Sequence, residues 1–173
     1  LDFFQSKKIE TWYLNKTKLK EYIITENPKN YGELVSTIYM FYSETKTLNR
    51  AIIWGDKNNY YIHKLSIINK LYPNAKYIHL VRDGRDVACS YKKLKEIQTS
   101  SKYFPKLSTN IEMIADEWNQ NNHKILNFKQ ALEDKYFLTL RFEDIVNDLR
   151  GNCIKISRFL DLDFSQEMLS YDL

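Results

Sequence analysis

The fold is decided by the stretch Tyr77-Ile-His-Leu-Val-Arg-Asp-Gly-Arg-Asp-Val-Ala-Cys-Ser-Tyr91. Its first part has the composition of an apolar strand, its middle is a charged turn, and its end begins an amphipathic helix. The apolar run over residues 76–81 is nearly continuous, which is typical of a parallel strand covered on both faces. We therefore predict an open α/β sheet that binds its ligand where this strand ends.

Two polar side chains in this stretch are candidates for ligand binding. Arg82 ends the strand, and Ser90 follows eight positions later on the predicted helix. A guanidinium can hold a phosphate with two parallel hydrogen bonds, and a hydroxyl on the next helix can add a third. The alternative interpretation is a turn of mutually paired charges in which Asp83 or Asp86 serves the amino end of the helix.

The remaining sequence alternates between helical and strand patterns. Apolar spacing predicts helices at residues 8–24, 31–47, 62–71, 109–134 and 150–160, and strands at 51–54 and 136–141. Strands separated by helices predict an α/β domain with a parallel sheet. Three strands are few for such a sheet, so we expect part of it to be missing at one end. No linker divides the chain, which predicts a single domain over residues 1–173.

Composition limits the classes of partner. The net charge of +4 suits an anionic ligand but is too small to indicate nucleic-acid binding by itself. Cys89 and Cys153 lie far apart and lack the partners of a disulfide framework or a metal site, which favours a reducing, cytoplasmic setting. No run of about 18 apolar residues is present, so no membrane span is predicted.

Two segments together resemble the sulfotransferase family, which moves a sulfuryl group from 3′-phosphoadenosine 5′-phosphosulfate (PAPS) to a hydroxyl or amine. They are Val81-Arg-Asp-Gly-Arg-Asp-Val-Ala-Cys-Ser90 and Arg141-Phe-Glu-Asp144, the latter followed by a helix that ends in Phe-Leu. The resemblance, over about residues 51–162, implies a three-layer α/β/α fold with a central parallel sheet, like that of P-loop NTPases. It implies that Arg82 and Ser90 hold the 3′-phosphate. Phe142 stands where the family has a Tyr near the adenine, which keeps the aromatic face and loses the hydroxyl.

A third point of resemblance is Trp54-Gly-Asp-Lys-Asn58. It implies that Lys57 faces the transferring sulfuryl group and offsets its charge, and that Asp56 is a candidate base for the acceptor's proton. The alternatives are that Asp56 caps a helix starting near Asn59 and that Lys57 is a solvent-facing lysine. The base could also be a residue upstream of Leu1.

The sequence departs from the family in one important way. The 5′-phosphosulfate loop, a Gly/Ser/Thr-rich turn with a Lys, does not occur in these residues, so the resemblance implies a fold that is incomplete at the amino terminus. It implies a small-molecule, carbohydrate or peptide acceptor contacted by the amino-terminal helices and the loop 98–108. It requires no metal, and the oligomeric state is left open.

Two other hypotheses come from different classes of protein. An ATP-dependent small-molecule kinase of related fold would need a Walker-type loop and a carboxylate for magnesium, and neither pattern is found. A non-catalytic relative that binds a nucleotide or nucleic acid is the second. Nucleic-acid binding would weaken steeply with salt, whereas specific binding of adenosine 3′,5′-bisphosphate would discriminate against AMP.

Overall fold

A computed structural model describes residues 9–47, 51–97, 101–105 and 107–170 of the chain. Contacts between these residues define two compact units. The first unit runs up to Tyr61 and also takes Lys70–Tyr72, while the second takes Ile62–Asn69 and the residues from Pro73 onward.

The described residues form seven α-helices and two β-strands. The helices are α1 (Lys16–Glu26), α2 (Tyr31–Thr47), α3 (Leu65–Leu71), α4 (Gly84–Lys95), α5 (Ile111–Lys129), α6 (Phe142–Asn147) and α7 (Leu149–Leu160). The strands are β1 (Tyr77–Val81) and β2 (Phe137–Arg141). Short 3₁₀ helices lie at Ile9–Trp12, Asn59–His63, Asp134–Tyr136 and Gln166–Leu169. None of the described helices is long and apolar enough to cross a membrane.

The first unit is built on α1 and α2. These helices bury Leu19, Ile38 and Phe41, which are at most 5% exposed and form one apolar cluster. Burying side chains of this size stabilises a fold by about 1.5–3 kcal/mol each. Helix α2 has the bounds that the sequence predicts for residues 31–47.

The helix predicted at residues 8–24 is divided in the structure. The 3₁₀ helix Ile9–Trp12 is followed by Tyr13, whose φ of 52° is left-handed and cannot continue a right-handed helix. Asn15 then caps α1, because its side chain accepts a hydrogen bond from the backbone N–H of Lys18 at 3.0 Å. The sequence pattern predicted the helix but not its start.

The strand predicted at residues 51–54 is wrong, because the structure has no strand there. Trp54 instead stacks on Tyr39 of α2, with ring centroids 4.3 Å apart and 6° between the ring planes. Ile52 is 89% exposed, so the segment lacks the buried alternation of a paired strand. A four-residue apolar run carries too little periodicity to separate these outcomes.

The second unit is built on a parallel pair of strands. β1 pairs with β2 in register from Tyr77 opposite Phe137 to Val81 opposite Arg141. The α/β class with a parallel sheet is therefore confirmed, with two strands in the described part of the chain. Parallel strands need a crossover connection, and here α4 and α5 lie between them in the sequence.

The two faces of β1 differ in exposure. Ile78 is 42% exposed and Leu80 is 52% exposed, while His79 between them is partly buried. The prediction that β1 is covered on both faces is therefore wrong for the described residues. An apolar run shows that a strand tolerates burial, but it does not show which elements cover it.

Helices α5 and α7 supply buried side chains to the second unit. Ile114 of α5 and Cys153 of α7 are buried, as are Phe137 and Leu140 of β2. The helix predicted at 109–134 is shorter than expected, since α5 begins after Asn110 and ends at Lys129. The helix predicted at 150–160 is confirmed as α7.

Candidate active site

The register of the two strands brings Arg82 beside Phe142. Val81 and Arg141 are the last paired residues of β1 and β2, so the next residue of each strand leaves the same edge of the sheet. The guanidinium carbon of Arg82 lies 4.7 Å from the centroid of the Phe142 ring, a cation–π contact. The structure therefore brings together two of the predicted site residues.

The Arg82 side chain retains unused hydrogen-bonding capacity. Its Nε is buried and has no hydrogen-bond partner within the described residues. Buried polar groups are normally paired, so an unpaired guanidinium nitrogen requires an explanation. An anionic acceptor is the simplest one, since arginine has five N–H donors and no acceptor of its own.

The other charges of the turn pair with one another. The Asp83 carboxylate caps α4 by accepting from the backbone N–H of Arg85 at 2.9 Å, and it also accepts two hydrogen bonds from the Arg85 guanidinium. Those hydrogen bonds hold the pKa of Asp83 below its usual range. The interpretation as a self-paired, capped turn is therefore right for Asp83 and Arg85, and it leaves Arg82 available.

Two residues that the sequence interpretation did not assign to the site hold the peptide group after Arg82. The indole N–H of Trp118 on α5 donates to the Arg82 carbonyl at 3.0 Å. The backbone N–H of Asp83 donates to Oε1 of Glu143 on α6 at 2.8 Å. Trp118 lies within the helix predicted from apolar spacing at residues 109–134, and only the tertiary contact shows the polar role of its indole N–H.

Ser90 lies on α4, as predicted, and is partly buried. It follows the cap residue Asp83 by seven positions, so nearly two full turns return it to the same face of the helix. That placement is compatible with a ligand that lies along this face of α4 from its amino end. Joint phosphate binding by Arg82 and Ser90 stays a prediction.

Asp56 lies in an exposed segment of the first unit. Its Oδ1 accepts from the backbone N–H of Lys57 at 2.8 Å, and its Oδ2 accepts from the Tyr61 hydroxyl. Asn58, not Asp56, caps the 3₁₀ helix, because the Asn58 side chain accepts from the backbone N–H of Tyr60 at 3.0 Å. The capping alternative for Asp56 is therefore wrong.

Two tyrosines surround the Asp56 carboxylate. Tyr39 also forms a side-chain hydrogen bond with Asp56, and Tyr39 and Tyr61 hydrogen-bond to each other. Burial first, and then the hydrogen bond to Asp56, raises the pKa of Tyr61 to about 12; the same causes raise the pKa of Tyr39. Both phenols therefore stay protonated at neutral pH, and the Tyr61 hydroxyl donates its one hydrogen to the carboxylate.

Lys57 follows directly in the same exposed segment, and its side chain forms no ion pair with any described residue. The exposure of Lys57 agrees with both interpretations: a lysine that offsets the charge of the sulfuryl group during transfer, and a lysine that only faces solvent. Its role stays a prediction.

The histidine in β1 has a structural environment. His79 is partly buried, and burial lowers its pKa, with a side-chain hydrogen bond to Asn122 acting in the opposite direction. Across the described ranges, no group of three or more His, Cys, Asp or Glu side chains could hold a metal ion.

Comparison with known proteins shows the family. Residues 5–166 match the Sulfotransferase family. A relative from Caenorhabditis elegans, named "Putative protein-tyrosine sulfotransferase", is 29% identical over 116 residues, which cover 67% of this chain and 42% of the relative. The chain thus spans less than half the length of that relative. It belongs to the sulfotransferase family.

A solved structure shows the same fold. The "Sulfotransferase Domain from the Curacin Biosynthetic Pathway" superposes with a TM-score of 0.54 over 87% of this chain and 56% of that one, at 22% identity. The predicted P-loop-like α/β fold with a parallel sheet is therefore confirmed at the level of fold.

Proposed function

We propose that this chain transfers a sulfuryl group from PAPS to a hydroxyl or amine acceptor. Membership of the sulfotransferase family supports the reaction class. The observation that carries the choice of donor is the Arg82 guanidinium, which is stacked on Phe142 at the carboxyl end of β1 and has a buried, unpaired Nε. A donor with a 3′-phosphate supplies the anion that this group lacks.

In the proposed complex, Arg82 and Ser90 hold the 3′-phosphate and Phe142 packs against the adenine. One face of the Phe142 ring is already in contact with Arg82, so the base would use the other face or the ring edge. The ring would then hold the Arg82 guanidinium on one side and the adenine on the other, which fixes both groups in position. No metal has a part in this scheme.

The chemical step is an in-line displacement at sulfur. The acceptor oxygen or nitrogen forms a bond to sulfur as the bond between sulfur and the 5′-phosphate oxygen breaks. The electron pair of the broken bond stays on the departing adenosine 3′,5′-bisphosphate. Lys57 would offset the charge on the sulfuryl and bridging oxygens, and Asp56 would take the acceptor's proton. The Asp56 carboxylate lies in an exposed segment, so its Oδ1 is accessible to the acceptor's proton beside the Lys57 N–H.

The acceptor belongs to the small-molecule, carbohydrate or peptide classes. The name of the Caenorhabditis elegans relative favours a tyrosyl hydroxyl of a protein. The first unit offers a cavity of about 490 Å³ whose lining includes the polar side chains of Asn30, Ser36, Thr37 and Tyr72. We propose this cavity as part of the acceptor site. In the loop 98–108, residues 98–100 and 106 lie outside the described residues.

Calorimetric titration of adenosine 3′,5′-bisphosphate tests the proposal. Arg82→Ala is expected to cost about 1.5–3 kcal/mol of binding free energy, the range for hydrogen bonds to charged groups. Arg85→Ala is the matched control, because Arg85 is in the same turn but is exposed and paired with Asp83. Equal affinity of the wild-type protein and Arg82→Ala would overturn the assignment.

Two further titrations separate the proposal from the alternatives. The wild-type protein is expected to bind adenosine 3′,5′-bisphosphate more tightly than ATP or AMP, because only the bisphosphate carries the 3′ group. Preference for ATP would favour the kinase hypothesis. Binding of duplex DNA that weakens steeply with salt would favour a nucleic-acid-binding relative, against the net charge of only +4. A cytoplasmic setting stays a prediction, based on two free cysteines among the described residues.

A further inference from the structure

The peptide group that joins Arg82 to Asp83 is held at both of its polar ends by side chains from other elements. Its carbonyl accepts from the indole N–H of Trp118 at 3.0 Å, and its N–H donates to Oε1 of Glu143 at 2.8 Å. A peptide group is planar, so fixing both ends also fixes its rotation about the chain. That rotation sets the direction in which the strand leaves the sheet at Arg82.

Trp118 also packs against Gly84, the first residue of α4. A Cβ atom built on Gly84 would lie 3.4 Å from Cδ2 of the indole, so the ring packs directly against the start of α4. The indole therefore contacts both the last residue before the turn and the first residue of the helix. This contact links the end of β1 to the helix that carries Ser90.

Glu143 directly follows Phe142, the residue that contacts the Arg82 side chain. Phe142 contacts the guanidinium and Glu143 contacts the following peptide, so two consecutive residues of α6 fix the side chain and the backbone of the same arginine. The backbone hydrogen bond from Asp83 lowers the pKa of Glu143, which keeps the carboxylate charged. Its Oε2 is buried without a hydrogen-bond partner in the described residues and lies 3.7 Å from Nε of Arg141.

We propose that Trp118 and Glu143 are positioning residues that orient Arg82 toward the 3′-phosphate by clamping the Arg82–Asp83 peptide. This inference rests on the proposed function of Arg82 and extends it to two residues that would not touch the ligand. It implies that the affinity for the 3′-phosphate depends on hydrogen bonds to the backbone of the turn. Losing either clamp leaves the guanidinium present but free to point away from the phosphate.

The test compares affinities for adenosine 3′,5′-bisphosphate and AMP, measured by calorimetry with AMP in competition. Trp118→Phe keeps an aromatic ring and removes the indole donor. It is expected to weaken bisphosphate binding about fivefold to tenfold, the equivalent of one hydrogen bond, and to leave AMP binding unchanged. A purely structural role would weaken both nucleotides equally, and that result would overturn the inference.

A second test compares two substitutions of Glu143, one that removes the hydrogen-bond acceptor and one that keeps it. Glu143→Ala is expected to reduce the preference for bisphosphate over AMP, whereas Glu143→Gln keeps an acceptor oxygen for the Asp83 N–H and is expected to restore most of it. Asp144→Ala is the control, because Asp144 is the neighbouring exposed acid of α6. Equal selectivity in Glu143→Ala and Glu143→Gln would count against the clamp.

The Arg82→Ala titration separates failure of this inference from failure of the proposed function. If Arg82→Ala binds the bisphosphate as tightly as the wild-type protein does, Arg82 does not bind the 3′-phosphate and the proposed function is wrong. If Arg82→Ala loses affinity while Trp118→Phe and Glu143→Ala do not, only the clamp is wrong.

Discussion

Gly84, at the start of α4, should be replaceable by alanine with a gain in stability. No described glycine has a positive φ, so the backbone at Gly84 is open to any L-residue. The added Cβ would meet the Trp118 ring at 3.4 to 3.6 Å, close to ordinary van der Waals contact. Gly84→Ala is therefore expected to stabilise the protein by about 0.4–1 kcal/mol, mainly because alanine reduces the freedom of the unfolded chain.

Gly151, in the first turn of α7, is the matched control with the opposite expectation. A Cβ there would collide with the carboxylate of Asp148, which caps α7 by accepting the Gly151 N–H at 2.8 Å. Displacing that cap costs about 0.5–2 kcal/mol, which cancels or exceeds the gain from alanine. The two variants make the same chemical change at two helix starts, so the difference between them reports the local contacts.

Urea unfolding followed by circular dichroism measures both effects. Gly84→Ala should have a higher midpoint than the wild-type protein, with bisphosphate affinity retained, and Gly151→Ala should have an equal or lower midpoint. A loss of more than 1 kcal/mol in Gly84→Ala would refute the reasoning, because it would mean that the indole cannot accommodate one methyl group beside the turn.

The remaining predictions concern the first unit. Asp56→Asn removes the negative charge and the strong hydrogen-bond acceptor beside Tyr61. The pKa of Tyr61 should therefore fall from about 12, but it should stay above 10.0 because the side chain is still partly buried. Carbon-13 NMR titration measures this pKa, and an unchanged value would contradict the contact between Tyr61 and Asp56. The same variant should lose turnover with PAPS while its bisphosphate affinity is kept, and full turnover would remove Asp56 as the base. Lys57→Ala should lower turnover with little effect on bisphosphate affinity; a rate equal to that of the wild-type protein would make Lys57 a solvent-facing residue.

The part of the fold around the charged turn could be predicted from the sequence. β1, α4, β2 and α7 follow patterns in which apolar periodicity, a capping residue and turn chemistry agree. Residues 51–54 could not be predicted, because the decisive contact is the stacking of Trp54 on Tyr39, which lies on a helix predicted independently. The break at Tyr13 was also hidden, since no Gly or Pro marks the left-handed residue.

The candidate site could be predicted only in part. Arg82 and Phe142 were identified in separate motifs, and the parallel register then explains why they meet. Asn58 serves as the cap and the Asp56 carboxylate contacts Tyr61, an outcome that depends on backbone geometry and that the sequence pattern does not contain. Trp118 could not be recognised, because an indole in an apolar stripe has the same pattern whether or not its N–H is used.

A crystal structure with adenosine 3′,5′-bisphosphate bound tests the central claim most directly. Two Arg82 nitrogens are expected about 2.7–2.9 Å from oxygens of the 3′-phosphate, with the Ser90 hydroxyl donating to a third oxygen. The Trp118 and Glu143 hydrogen bonds to the turn should be retained. A bisphosphate bound with its 3′-phosphate away from both Arg82 and Ser90 would contradict the account.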